Sequence, residues 1–274
     1  MGARAIHQGL LLAVLLAYTA LSAGPFAWVM SMSLRTTTEI MDAPYALPAS
    51  PHFEKFAQVW FGANYGTYFW NSLVVVLSAV AILTAIGSMA AYAFARFRFR
   101  WNRFLYFLIF SALIFPPQIM IIALFQIMVD LDLFNTHLGL ILAYVAAQLP
   151  LTVYLLEAFF ARIPTDLFEA ARVDGYSEFE IFWRIGLPVA GPALATTVIL
   201  NTILLWNEFL HAAVLLTDED KRTLPLGIQR FMADYMMDVG MLATGLMIAI
   251  VPVVLIYLFF SERLIRGMTA GALK

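Results

Sequence analysis

Along this 274-residue chain the charged residues, Glu157 and Glu208 excepted, lie in the gaps between six long apolar stretches, and that spacing constrains the fold more than any other feature. Crossing the hydrocarbon core of a bilayer takes roughly 20 mainly apolar residues in a helix. Lipid offers no partner to backbone N–H and C=O groups, so a crossing segment must satisfy them internally. Six segments qualify, at approximately 9–33, 69–95, 104–128, 138–157, 190–214 and 240–261. They are too evenly apolar for surface helices, whose polar face would interrupt them. With 62% apolar and only 12% charged residues, a soluble domain of this size could not hide its apolar surface. The expected fold is therefore an all-α integral membrane protein: one transmembrane domain over 1–274 with six spanning helices.

Orientation follows from Lys and Arg in the short connections. With the amino terminus in the cytoplasm, the inside segments hold Arg4, Arg96, Arg98, Arg100, Arg103, Arg162, Arg172, Arg184, Arg263, Arg266 and Lys274. The outside segments hold only Arg35, Lys55, Lys221, Arg222 and Arg230. The run RFRFRWNR (96–103) weighs most, and both termini are expected in the cytoplasm. Leu21-Ser22-Ala23-Gly24 resembles a signal-peptide cleavage site, but cleavage there would leave five spans, so the first span reads as an uncleaved signal anchor.

Several function classes drop out. A net charge of -2 provides no basic face for nucleic acid. There is no cysteine, hence no disulfide or thiolate chemistry. His7, His52, His137 and His211 are scattered singly, without metal-ligand spacing. No catalytic motif of a membrane-embedded enzyme is present, so no catalytic residue is assigned.

The connection between the fourth and fifth spans, IPTDLFEAARVDGYSEFEIFWRIGLPVAGP (163–192), is too polar to cross the membrane. Asp166 and Glu169 have capping-box spacing for a helix running to Val173, and Gly175 suits its stop. Ser177 and Glu180 form a second capping box, opening a short helix through Phe182 and Trp183. Pro188 should break continuity before the next span. The expectation is a cytoplasmic helix–turn–helix shelf over approximately 163–188.

Glu169-Ala170-Ala171, Gly175 after three further residues, and Ile185-Gly186-Leu187-Pro188 after nine more resemble the EAA loop of bacterial ABC importer permeases. Asp174 before the glycine is also usual in that pattern. The resemblance implies a coupling helix that seats in a groove of an ATP-binding subunit. Glu169 would make the polar contact, Ala170 and Ala171 would allow close approach, and Gly175 would make the turn. Ile185, Leu187 and Pro188 would anchor the second helix to the bundle.

Nearly the whole chain is similar to one branch of that family, the second permease of carbohydrate importers of the maltose type. NSLVVVLSAVAILTAIGSMAAYAFARFRF (71–99), WNEFLHAAVLL (206–216), LPLGIQRF (224–231) and ERLIRGMTAGALK (262–274) carry the likeness, in that order. It implies a bacterial inner (plasma) membrane location. It implies as partners two copies of an ATP-binding subunit, a second, homologous permease, and an extracytoplasmic solute-binding protein delivering a sugar or sugar-like solute. The chain has no Gly-Lys pair and hence no phosphate-binding loop of its own, so no cofactor is expected in it; ATP and Mg would sit on the partners.

Polar groups inside spans mark pathways by default. Asn201, Asn207, Glu208 and Trp206 on the fifth span, Gln118 beside Pro116-Pro117 on the third, and Gln148 and Tyr154 on the fourth are the candidate pore or substrate residues. Asn207 and Glu208 read equally well as an interfacial helix cap. Asn71 and Ser72 open the second span, where a cap role is expected. A secondary transporter would need coupling-ion carboxylates at mid-bilayer and usually an inverted repeat, and a channel would need a filter or charged ring; none is visible. These remain the alternative classes.

Overall fold

In a computed structural model the backbone is described over residues 2–272 and the side chains over 7–229 and 231–260. Among the described residues the regular structure is entirely helical. In order the helices are α1 (Gly2–Ser33), α2 (Thr37–Asp42), α3 (Glu54–Ala57), α4 (Tyr65–Arg96), α5 (Asn102–Ser111), α6 (Pro117–Asp130), α7 (His137–Phe160), α8 (Thr165–Val173), α9 (Glu178–Ile181), α10 (Leu187–Val189), α11 (Gly191–Trp206), α12 (Leu210–Leu215), α13 (Leu224–Asp234) and α14 (Val239–Ala272).

Four segments are single helices long and apolar enough to cross a membrane: His7–Ser33, Tyr65–Arg96, His137–Phe160 and Val239–Phe260. The third expected span is bent, and the fifth is entered through a bend. Asn102–Ile114 meets Pro117–Asp130 at 107°, and Glu178–Val189 meets Gly191–Trp206 at 75°. Counting each bent pair as one span gives up to six.

The bends have local causes. Phe115 and Pro116 each precede a proline, which excludes them from helical backbone, and both are extended (ψ 126° and 131°). Pro188 was expected to break the chain before the fifth span and does not. It lies in the first turn of α10, just after a π-helical turn at Phe182–Gly186, and the bend comes at Ala190, ahead of Gly191-Pro192. The fifth segment is interrupted again, because α11 stops at Trp206 and α12 begins at Leu210.

The chain divides into two compact units. One comprises the chain up to Gly66 together with Gly227–Pro252. Its buried cations organise it. The Lys55 Nζ donates to the carbonyls of Ser33 (3.2 Å), Arg35 (2.6 Å) and Gly240 (2.8 Å). Arg35 is also buried and donates to the carbonyls of Glu39, Ala43 and Ala46, closing the far end of α2. Two of the five charges counted as external are thus spent on backbone. α1 buries little: Leu10, Leu12, Val14 and Leu16 are all exposed, which suits a helix surrounded by lipid.

The other unit comprises Thr67–Leu226 and the chain after Pro252. Within it α4 buries Val75, Val76, Ala79, Val80 and Leu83, one helical face, and leaves Val74, Leu77 and Ile86 outside. A Cβ on Gly87 would lie 2.5 Å from Thr152 Cγ2, so glycine lets α4 approach α7 there. Asn71 and Ser72 do not cap α4, which begins two turns earlier. The Asn71 amide donates to the carbonyls of Asp220 (2.7 Å) and Arg222 (2.9 Å), and Ser72 Oγ accepts from Leu224 N (2.8 Å). The far end of that connection is held by Asn135, whose side-chain oxygen accepts from Thr217 N and Asp218 N.

Candidate functional site: the α8–α9 shelf

Two short helices meet at Gly175. α8 starts two residues earlier than the sequence suggests, after Pro164, and no side chain caps it; the expected Asp166–Glu169 box is not formed, since Asp166 is already inside the helix. At its other end Gly175 N donates to Arg172 O (3.0 Å) and Tyr176 N to Ala171 O (3.1 Å), with Gly175 at φ +87°. This is a Schellman closure, which needs a left-handed residue at that position. α9 then begins at Ser177, where the capping box is complete: Ser177 Oγ accepts from Glu180 N and Glu180 accepts from Ser177 N (3.0 Å). That bond holds the Glu180 carboxyl below its ordinary pKa. An Arg172–Glu178 ion pair at 2.6 Å spans the turn and raises the Arg172 pKa, chiefly through its hydrogen bond.

The shelf has an inner and an outer face. Phe168 and Ala171 point inward, into a core with Tyr92, Leu156, Phe160, Ile163, Ile181 and Phe182. Ile185 and Leu187 pack against that core, while Pro188 is exposed. Glu169, Ala170, Asp174 and Gly175 face out. So do Val173 (87% exposed), Phe179 (66%) and Trp183 (63%). That outer face sets a carboxylate beside large exposed apolar side chains. Ala171 does not belong to it; it serves packing.

Arg96 is the residue whose role the sequence did not disclose. At the last position of α4, its Nη2 donates to the carbonyls of Phe160 (2.6 Å) and Ile163, and its guanidinium lies 4.1 Å from the Phe168 ring centroid. In sequence it is one more arginine of a basic run; only the chain path brings α7 and α8 to it.

The pore candidates separate in the same unit. Asn201 is 1% exposed and donates to Thr152 Oγ1 (2.8 Å), which donates to Gln148 O (2.9 Å); it is a link between α11 and α7 and not a surface group. Trp206 is 5% exposed, its ring edge-on to Phe69 at 5.5 Å, so it too is core. Glu208 accepts from His211 N and Nδ1 (both 2.9 Å), at the start of α12 and not at the end of α11. Asn207 and Gln118 are exposed, Gln148 is half-buried, and Tyr154 is half-exposed against Phe110. A cavity of about 220 Å³ lies at the α5–α6 bend, lined by Phe115, Pro117, Met120, Ala143, Ala147 and His211 among others.

A bent, many-helix membrane domain carrying such a shelf is the build of an importer permease. The family described as the binding-protein-dependent transport system inner membrane component matches residues 83–269, and this chain belongs to it. It is a transporter permease subunit of the inner membrane and not a catalytic enzyme. The diacetylchitobiose uptake system permease protein NgcG of Streptomyces coelicolor is 37% identical over 96% of this chain and 87% of its own length. The trehalose transport system permease protein SugB of Mycobacterium tuberculosis is 33% identical over the full length of both. In fold, the chain is similar to one from a bacterial ABC transporter involved in the import of the acidic polysaccharide alginate, with a TM-score of 0.80, 24% identity, and coverage of 96% and 98% of the two chains.

Proposed function

We propose that this chain forms half of the translocation pore of an ATP-driven importer for a sugar or sugar-like solute, with α8 as its contact to an ATP-binding subunit. The observation that carries this reading is the outer face of the shelf, where Glu169 and Ala170 stand beside exposed Val173 on a helix entered at Pro164 and closed at Gly175. A short rigid helix transmits a displacement that a slack loop would absorb. In this reading two ATP-binding subunits supply hydrolysis, with ATP and Mg bound there. A second, homologous permease completes the pore, and an extracytoplasmic binding protein delivers the solute. The shelf and both termini face the cytoplasm, as the arginine distribution requires.

The solute class rests on the relatives, whose names specify diacetylchitobiose and trehalose. Of the pore candidates, Gln118, Gln148, Tyr154 and Asn207 keep accessible side chains and remain candidates for the solute path. The test is purification of the tagged chain in mild detergent, followed by transport in proteoliposomes. Recovery of an ATP-binding subunit and a second permease, with uptake that needs ATP and ignores dissipated ion gradients, is the expected result. Recovery of a stable chain alone, with uptake abolished by an ionophore, would overturn the reading in favour of a secondary transporter.

A further inference from the structure

The shelf can transmit force only if it is fastened to the membrane helices, and its fastening is unusual. We infer that Arg96 is the positioning residue that makes α8 one mechanical body with the ends of α4 and α7, so that displacement of α8 reaches the helices lining the pore. This rests on the reading of α8 as the surface that meets the ATP-binding subunit.

Three observations support it. First, Arg96 joins three elements at once: it belongs to α4, its Nη2 donates to Phe160 O and Ile163 O at the end of α7, and its guanidinium lies over Phe168 of α8. The carbonyls of a helix's last turn lack partners within the helix, so a cation there completes α7 while tying it to α4. Second, the joint is reinforced by aromatic contacts one turn back on the same helix. The Tyr92 ring lies 5.5 Å from Phe160, 6.0 Å from Phe168 and 5.2 Å from Phe182, and a Cβ on Gly186 would come within 3.3 Å of it. α4, α7, α8 and the segment after α9 therefore share one hinge-free contact. Third, the arrangement is a costly way to achieve packing alone. Arg96 takes part in none of the ion pairs among the described residues, and its Nε is buried without an acceptor. Arg96 is half-buried, so its guanidinium gives up part of its hydration there, and a hydrocarbon side chain would fill the space without that loss. What only arginine supplies is a flat group that meets a ring face and two carbonyls together.

The test uses the assembled complex, with variants R96A, R96K, F168L and F168W. Chain level, co-purified ATP-binding subunit, ATP hydrolysis and solute uptake are measured together. R96A, R96K and F168L are expected to retain the ATP-binding subunit and hydrolyse ATP while uptake falls about tenfold or more, within the usual span of coupling between sites. The ATP consumed per solute imported rises accordingly, a quantity that a merely structural defect leaves unchanged. F168W, which keeps a ring face for the guanidinium, is expected to transport near the wild-type rate. If R96A is degraded, F168L carries the test, because it leaves both backbone bonds of Arg96 in place.

Wild-type uptake by R96K would overturn the inference, since charge alone would then suffice. Loss of the ATP-binding subunit in step with uptake would also overturn it, by making Arg96 an assembly residue. A wild-type chain that never associates with an ATP-binding subunit would instead overturn the proposed function itself.

Discussion

Substitution of Gly175 isolates backbone geometry from every other effect. The residue sits at φ +87°, yet a Cβ built on it meets nothing within 4 Å, so a side chain there would clash with no neighbour. The penalty is therefore torsional. Placing an ordinary L-residue in the left-handed region costs about 1–2 kcal/mol, with Asn well tolerated and β-branched residues the least so. Against it stand the two closing hydrogen bonds of the turn, at 3.0 and 3.1 Å, each worth about 1 kcal/mol net. Alanine should thus leave the turn formed but loosened, and valine should open it. The expected order of turn stability is Gly, then Asn, then Ala, then Val. Hydrogen exchange of the Gly175 and Tyr176 amides in the detergent-solubilised protein reads this directly: exchange should quicken about fivefold to thirtyfold for Ala, following from about 1–2 kcal/mol. Uptake should decline in the same order with the chain present at normal level. Equal exchange in the Gly, Ala and Val forms would refute the reasoning, because it would mean that the turn does not require the left-handed backbone.

Three other substitutions or conditions test the remaining structure. Lys55→Met removes all three ammonium bonds; Thr244 Oγ1 still serves Ser33 O and Gly240 O, but Arg35 O is left buried. The first unit should lose on the order of 3 kcal/mol, seen as faster proteolysis of the segment 34–62; unchanged proteolysis would show that the cation is dispensable. Asn71→Ala should release the 217–224 connection without unfolding α4, raising amide exchange there but not in 75–90, whereas a uniform rise would assign Asn71 to helix stability. Finally, Glu180 has a pKa depressed by the Ser177 amide. Its stabilising effect is complete above its ordinary value and is lost as pH falls through the lower folded value. Amide exchange at 177–181, corrected for intrinsic rates, should rise on acidification below about pH 4.5; a flat profile, or the same rise in E180Q, would exclude the carboxylate.

The shelf was legible in the sequence because its signals are local. Gly175, Ser177 and Glu180 act on residues within three or four positions, so spacing alone identifies the stop of one helix and the start of the next. The same logic failed where a local signal had a competitor. Asp166 and Glu169 have the spacing of a cap, but Pro164 already fixes the entry and places Asp166 inside α8. Pro188 reads as a breaker, but a preceding π-helical turn lets it occupy a helix start.

Inside the membrane domain, polarity was a good guide to importance and a poor one to role. Asn201 and Glu208 stand out in the sequence as polar groups in apolar segments, yet both are occupied with partners within the protein, Thr152 for one and the start of α12 for the other. A polar side chain in an apolar segment needs a partner, and the sequence does not say whether that partner is solute or protein. Arg35 and Lys55 show the converse: residues that looked like external charges are buried against carbonyls, those of the following loop for Arg35 and those of distant segments for Lys55.

By itself, the sequence determined that the chain is helical, that it is built for lipid, and where α8 stops and α9 starts, because hydrophobic length and capping chemistry act over a few residues. Only the tertiary structure decided that Asn201 and Trp206 are core, and that Arg96 joins three helices. Those outcomes depend on which surfaces meet, and contacts between residues 49 or more positions apart leave no periodic trace in a single chain.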